Sequence, residues 1–348
     1  MILAGDIGGT RTRLALFERA AGKLPMVSDS EYPSREHAGL DEIVSQFLSE
    51  HAAQIDSACF GVAGPVLHGR VSTPNLPWLI DVRTIEKLLD IDAVWLINDL
   101  EAHAYSIAGL APEDLKQVNP KAGTSADADV GNAALIAPGT GLGEAGLHWD
   151  GTRHVPFASE GGHADFAPRG ELEIELLRYL TQKFKRVSYE RILSGPGLVN
   201  VYSFLRDTRK EEEPAWLREE LQQAPDVAQV ITRNALAAKS AICEHALEIF
   251  VEILGAEAGN AALRFMATAG VFIGGGIPAK ILPKIQEPAF MEAFLAKGRL
   301  RAMLERIPVN VVLHGKSGLI GAACCAQFNW QRLQNSSPQQ SQFAHSTP

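Results

Sequence analysis

A strand, a turn carrying Gly-Thr and a second strand occur twice in this chain, at Gly9-Thr10 and again at Gly139-Thr140. That repeat constrains the fold more than any other feature. Residues 3–6 and 12–17 are short apolar runs on either side of Ile7-Gly8-Gly9-Thr10 and predict a hairpin. Residues 133–137 and 145–149 flank Pro138-Gly139-Thr140-Gly141 in the same way. The repeat is weak in letters but consistent in layout, and it predicts two α/β halves.

The segments between the hairpins support this. In residues 40–50, Leu40, Ile43, Val44, Phe47 and Leu48 recur at spacings of three and four, which predicts a helix. Residues 57–62 and 93–97 are apolar runs suited to buried strands, with a helix expected over 83–89. Alternation of this kind predicts a mixed sheet. Helices are expected over 172–184, 227–254 and 317–328, and a strand over 309–313. The charged stretch 206–214 is expected to be solvated, 119–132 to be a surface loop, and the Ser- and Gln-rich chain from 334 onward to lack order.

Composition removes whole classes of function. The net charge is −9, with 32 basic and 41 acidic residues, so the basic field required by a nucleic-acid or anionic-membrane binder is missing. Hydrophobic residues make up 46%, enough for a sizeable core. No apolar stretch reaches the ~18 residues of a membrane span. Asp6 interrupts the first apolar run, so a signal peptide is not expected. The four cysteines, Cys59, Cys243, Cys324 and Cys325, have no C-x-x-C spacing, so reduced thiols and a cytoplasmic location are expected.

Five constellations carry chemistry. Gly5-Asp6-Ile7-Gly8-Gly9-Thr10 lets backbone N–H groups approach an anion, with Asp6 placed to hold Mg²⁺ through water. It contains neither a Walker sequence nor G-x-G-x-x-G, and taken alone it would read as an ordinary glycine hairpin. Gly139-Thr140-Gly141-Leu142-Gly143 follows an apolar strand and could cradle phosphates similarly. Gly274-Gly275-Gly276 follows another, where backbone could approach a flat ligand such as adenine, or simply turn from strand to helix. Asn98-Asp99 ends a strand, the place where α/β folds gather their ligands, although Asn and Asp are also preferred helix caps. Glu160-Gly161-Gly162-His163, with Glu190 further on, offers the carboxylates and imidazole that a polyhydroxylated ligand needs. A zinc site at His163 would need three or four ligands, and no cysteine cluster lies nearby. His103, just after Asp99, is expected to be solvated or locally satisfied.

Together with Thr73-Pro-Asn-Leu-Pro-Trp78 and Glu190-Arg-Ile-Leu-Ser-Gly-Pro-Gly-Leu198, and in this order, these elements resemble the bacterial glucokinase family, in its group without a zinc motif. The resemblance implies two ribonuclease H-like domains of the actin/hexokinase ATPase fold around a central cleft that closes on sugar. Residues 1–111 completed by a helix at 314–330 would form the small domain and 112–313 the large one, with 331–348 a disordered tail. ATP would lie on Gly5–Thr10 and Gly139–Gly141, with adenosine near Gly275 and Mg²⁺ near Asp6. Glucose would contact Asn98, Asp99, Glu160, His163 and Glu190, with Asp99 as catalytic base. A homodimer without zinc is implied. No family counterpart is evident for 119–132 or for the tail.

The function expected is that of an ATP-dependent hexose kinase, a transferase forming glucose 6-phosphate for glycolysis. Another hexose, such as mannose or an N-acetylhexosamine, would use the same groups. A sugar-sensing regulator would carry a helix-turn-helix ahead of the first hairpin, where this chain has two residues.

Overall fold

The computed structural model describes residues 1–19, 24–73, 76–120, 122 and 130–336. Pro74 and Asn75 of the Thr73–Trp78 motif, most of the 119–132 loop, and residues 337–348 of the expected tail lie outside the described residues. The chain forms two units, Met1–Gly109 with the segment from Lys316 onward, and Leu110–Gly315.

In the first unit the strands are β1 (Ile2–Ile7), β2 (Arg11–Phe17), β3 (Met26–Pro33), β4 (Ser57–Val62), β5 (Arg70–Ser72), β6 (Leu79–Asp81) and β7 (Val94–Asn98). Five of them form a sheet in the order β3-β2-β1-β4-β7. The pairs β1–β2 and β2–β3 are antiparallel, while β1–β4 and β4–β7 are parallel. Side chains alternate across the sheet, so one strand serves two cores. Leu3 and Ile7 of β1 pack with Phe60 against Ile43, Val44 and Phe47 of the helix Leu40–Glu50. Ile2 and Ala4 face the other way, onto Ala102, Leu319, Ala322 and Ala323. These last residues belong to the helices Asp99–Ser106 and Ser317–Ser336. The second of these helices runs beyond the end expected at 330.

Small residues let this second face close tightly. A side chain on Gly61 would come within 2.7 Å of the Ala102 Cβ, and one on Gly321 would collide with the Ala102 carbonyl. The C-terminal helix is therefore part of the first unit's core.

The second unit repeats the plan. Its strands β8 (Leu115–Gln117), β9 (Ala133–Pro138), β10 (Leu142–Trp149), β11 (His154–Ser159), β12 (Gly270–Ile273) and β13 (Val309–Val312) form a sheet in the order β11-β10-β9-β12-β13-β8. Here β9–β10 and β10–β11 are antiparallel, and β9–β12 and β12–β13 parallel. The sequence repeat thus reappears as a repeat of strand order and direction, with β8 added at one edge.

The helix expected over 227–254 is two helices, Val227–Leu236 and Ala241–Phe265. Ala238 between them has φ 49°, a left-handed conformation that breaks an otherwise helix-favouring run. The second continues past residue 254 because Gly255 and Gly259 are contact points: side chains there would strike the Phe290 and Phe294 carbonyls. Nor is the 206–214 stretch solvated throughout. The Glu213 side chain is only 5% exposed, accepting from Tyr202 Oη at 2.9 Å and Arg218 Nε at 2.7 Å. No helix among the described residues is long and apolar enough to cross a membrane.

Overpacking the small-residue contact should cost about 3 kcal/mol, the upper part of the usual range, because neither backbone can retreat without breaking its helix. Gly321→Val is therefore expected to lower the urea unfolding midpoint clearly. An unchanged midpoint would contradict the packing described.

Candidate functional site

Register brings the first unit's polar residues to one sheet edge. Asp6 of β1 lies beside Gly61 of β4, and Gly61 beside Ile97 of β7. One step further, Ile7, Val62 and Asn98 form the last row. All three strands are parallel, so their carboxyl ends meet there and Asp99 follows immediately.

Asn98 caps the helix Asp99–Ser106: its Oδ1 accepts from the Leu100 N–H at 2.9 Å and its Nδ2 donates to the Gly64 carbonyl at 3.1 Å. Asp99 Oδ1 accepts from the same Leu100 N–H at 2.9 Å. Both expectations for this pair, helix cap and ligand-facing group at a strand end, are therefore compatible with the geometry. Burial pushes the Asp99 carboxyl above its usual range and the neighbouring Asp6 adds to this, while the Leu100 N–H and His103 oppose it. A carboxylate so raised is a better proton acceptor.

Asp6 is pushed up by burial too, against the pull of His103 and Arg13. No donor among the described residues hydrogen-bonds to its carboxylate. The start of the C-terminal helix approaches it instead: a side chain on Gly318 would lie 2.9 Å from the carboxylate. A desolvated, acceptor-only carboxylate without a donor suits a hard cation, so Asp6 fits the Mg²⁺ expected there. His103 Nδ1 is 2.9 Å from Ser317 Oγ, which makes it locally satisfied.

The Gly8–Thr10 turn is closed by the Gly8 N–H donating to the Arg11 carbonyl at 2.9 Å. Ser34 braces it, its Oγ donating to the Gly8 carbonyl at 2.8 Å and its N–H to the Thr10 carbonyl at 3.0 Å. Gly5 and Ile7 are buried in the strand, Gly5 beneath the Phe60 ring. Only their backbone is available to a ligand.

In the second unit, Gly139 and Gly195 meet: the Gly195 N–H donates to the Gly139 carbonyl at 2.9 Å, so the glycine turn abuts the start of the helix Gly195–Asp207. Beside them is a cavity of about 1000 Å³, whose lining includes Thr140, Pro196, Ala228, Gly276 and Ile277. Gly275 has φ 86°, and a side chain on it would lie 2.6 Å from the Pro138 carbonyl. It packs the third glycine run against the second. Sequence reasoning names Gly195 and Pro196 only as part of the Glu190–Leu198 motif and assigns nothing to the 225–237 wall, because the residues facing the cavity come from segments far apart in the chain.

The expected sugar residues of this unit also converge. Glu190 Oε2 accepts from the Leu142 N–H at 3.1 Å, and a side chain on Gly141 would lie 2.6 Å from that oxygen. His163 stands between two carboxylates, with Nδ1 3.9 Å from Glu190 Oε1 and Nε2 3.8 Å from Glu160 Oε2. Both gaps exceed hydrogen-bond length, so the three groups point polar atoms at shared space without saturating each other. Glu160 is 86% exposed and Glu190 27%. Arg186 holds the turn from the side, donating to the His163 carbonyl and to Asp165 Oδ1, each at 2.8 Å.

Comparison with known proteins agrees with this architecture. The glucokinase family model matches residues 3–329. A glucokinase of Nostoc punctiforme is 41% identical over 343 residues, covering 94% of this chain and 98% of its own. The crystal structure of a glucokinase from an Antarctic psychrotroph superposes with a TM-score of 0.82 at 30% identity, covering 94% and 98% of the two chains. A glucokinase of the ROK family from Streptomyces griseus, solved with glucose and AMPPNP, shares the fold at a TM-score of 0.63 and 20% identity, covering 94% of this chain and 99% of its own.

 At that identity the likeness is one of fold alone. The match over nearly the whole length, together with the repeated α/β plan and the convergent Asn98–Asp99 and Glu160–His163–Glu190 groups, places this chain in the glucokinase family.

Proposed function

We propose that the chain transfers the γ-phosphoryl group of ATP to the 6-hydroxyl of glucose, giving glucose 6-phosphate and ADP. The observation that carries this reading is Asp99: a half-buried carboxyl of raised proton affinity, oriented by the Leu100 N–H at the carboxyl end of β7, in a chain of the glucokinase family. Phosphoryl transfer asks little covalent chemistry of a protein, only in-line positioning and neutralisation of charge.

In this proposal Asp99 accepts the proton of the 6-hydroxyl as the oxygen attacks phosphorus, and Asn98 orients the neighbouring hydroxyls. Glu160, His163 and Glu190 accept from and donate to the remaining hydroxyls. The turn Gly8–Thr10 and the turn Gly139–Gly141 offer backbone N–H groups to the phosphates. The cavity beside Gly139 and Gly276 has room for a nucleoside, and Gly275 next to it packs against the Pro138 backbone. Asp6 would hold Mg²⁺, which when bound neutralises charge on the phosphates. The proposal includes a homodimer acting in the cytoplasm, without zinc.

Two outcomes are expected. Asp99→Asn keeps the shape but loses the proton-accepting charge, so kcat should fall by ~10²–10⁴ or more while glucose affinity stays within about tenfold. Near-normal turnover in a steady-state ADP-release assay would remove Asp99 from the base role. Galactose, the C4 epimer, should be poorer than glucose by on the order of 10³ in kcat/KM, because its O4 leaves the place where Asn98 and Asp99 would bond it. Comparable kcat/KM for the two sugars would contradict the glucose assignment.

A further inference from the structure

Under the Gly161–His163 turn lies a group of buried charges that the proposed reaction does not use. Glu144 on β10 is 1% exposed, and Glu257 on the helix Ala241–Phe265 is fully buried. Arg264 lies between them, its Nη1 3.1 Å from Glu144 Oε2 and 2.6 Å from Glu257 Oε1. Asn260 donates to Glu257 Oε2 at 2.8 Å and to Tyr189 Oη at 3.2 Å, and Lys297 Nζ donates to Asn260 Oδ1 at 2.6 Å. Glu144 Oε1 is buried with no hydrogen-bond partner.

Two ionised carboxylates beside one guanidinium would leave net negative charge in a desolvated place. A proton on Glu144 removes it. Burial and the Glu257 carboxylate push Glu144 up to about 8 against the pull of Arg264, which favours its protonated form. The turn rests on this group: a side chain on Gly161 would collide with Glu144 Oε2. Ser159 ties the two together, its Oγ donating to the Glu144 carbonyl at 2.8 Å and accepting from the Gly161 N–H at 3.2 Å. Tyr189, held by Asn260, precedes Glu190 in the chain.

We propose that Glu144 is a positioning residue that forms the floor of the Gly161–His163 turn and so sets the enzyme's affinity for sugar. This rests on His163 and Glu190 being sugar contacts. The His163 and Ala164 N–H groups, which donate within the turn to the Glu160 and Gly161 carbonyls, report its stability without any substrate.

The test compares E144Q and E144A by amide hydrogen exchange in the ligand-free protein and by steady-state kinetics. Gln mimics the protonated acid, so E144Q should keep turn exchange and glucose KM within about twofold of wild type. E144A should speed exchange at His163 and Ala164 and raise glucose KM by about tenfold each, with kcat and the KM for ATP within about threefold. Equal effects of Gln and Ala, unchanged exchange in E144A, or faster exchange with unchanged glucose KM would each overturn the proposal.

A second measurement stands if E144A fails to fold. The folded protein holds a proton that the unfolded chain, with a carboxyl near 4.5, releases. Stability from this group is therefore full below about 4.5 and is lost as pH rises through about 8. Wild type should lose stability relative to E144Q over that window, and a difference in urea midpoint that does not move with pH would overturn the proton held by Glu144. If wild type phosphorylated no hexose at all, the proposed function would fail, while exchange and the pH-dependent difference would still decide the role of Glu144.

Discussion

Parallel hydrogen bonding of β1 to β4 and of β4 to β7 is the constraint on which the first unit's chemistry depends. The register leaves no freedom: Ile7, Val62 and Asn98 share a row, and the chain that leaves each strand must emerge at the same edge. A slip of one residue would turn every side chain to the opposite face, burying Asp6 against the Leu40–Glu50 helix and exposing Leu3 and Ile7 to the other core. The second unit imposes the same order, with Ile136, Ile273 and Val311 in a row ahead of the glycine turns. Function at these edges is thus a by-product of strand pairing that the two cores already require.

Desolvation does the electrostatic work. Asp6, Asp99 and Glu144 are all raised chiefly by burial, and each is then placed against a different partner set. Among the described residues Asp6 has no hydrogen-bond donor, which suits a cation; Asp99 has one backbone N–H, which orients it without neutralising it. Glu144 meets another acid and a guanidinium, and its answer is to keep a proton. By contrast Glu160 is largely exposed, beside the His163 ring. Three carboxyl groups in one chain therefore have three kinds of use because of what surrounds them.

Much of this was legible in the residues. The apolar strands β1, β2, β4, β9, β10, β12 and β13 announce themselves by composition, and the two Gly-Thr turns by their repetition. The strands β3 and β11 were not seen, because β3 alternates buried and exposed positions with polar letters and β11 carries His and Pro. The helix expected over 227–254 bridges a break because Ala237, Ala238 and Lys239 favour helix locally, and nothing in those letters marks Ala238 as left-handed. Asn98, Asp99, Glu160, His163 and Glu190 are each proposed from their own short motifs. What no motif could show was which distant residues stand behind them: Gly318 against Asp6, Gly195 against Gly139, and the Glu144–Glu257–Arg264 group under Gly161.

The most direct test of the central claim is the identity of the product. Phosphorus-31 NMR of a reaction of the purified protein with glucose, ATP and Mg²⁺ distinguishes the acceptor oxygen by its coupling. The account predicts a phosphomonoester split by the two protons on C6, growing in step with ADP. An anomeric phosphate split by the single proton on C1, or inorganic phosphate as the only new signal, would contradict it.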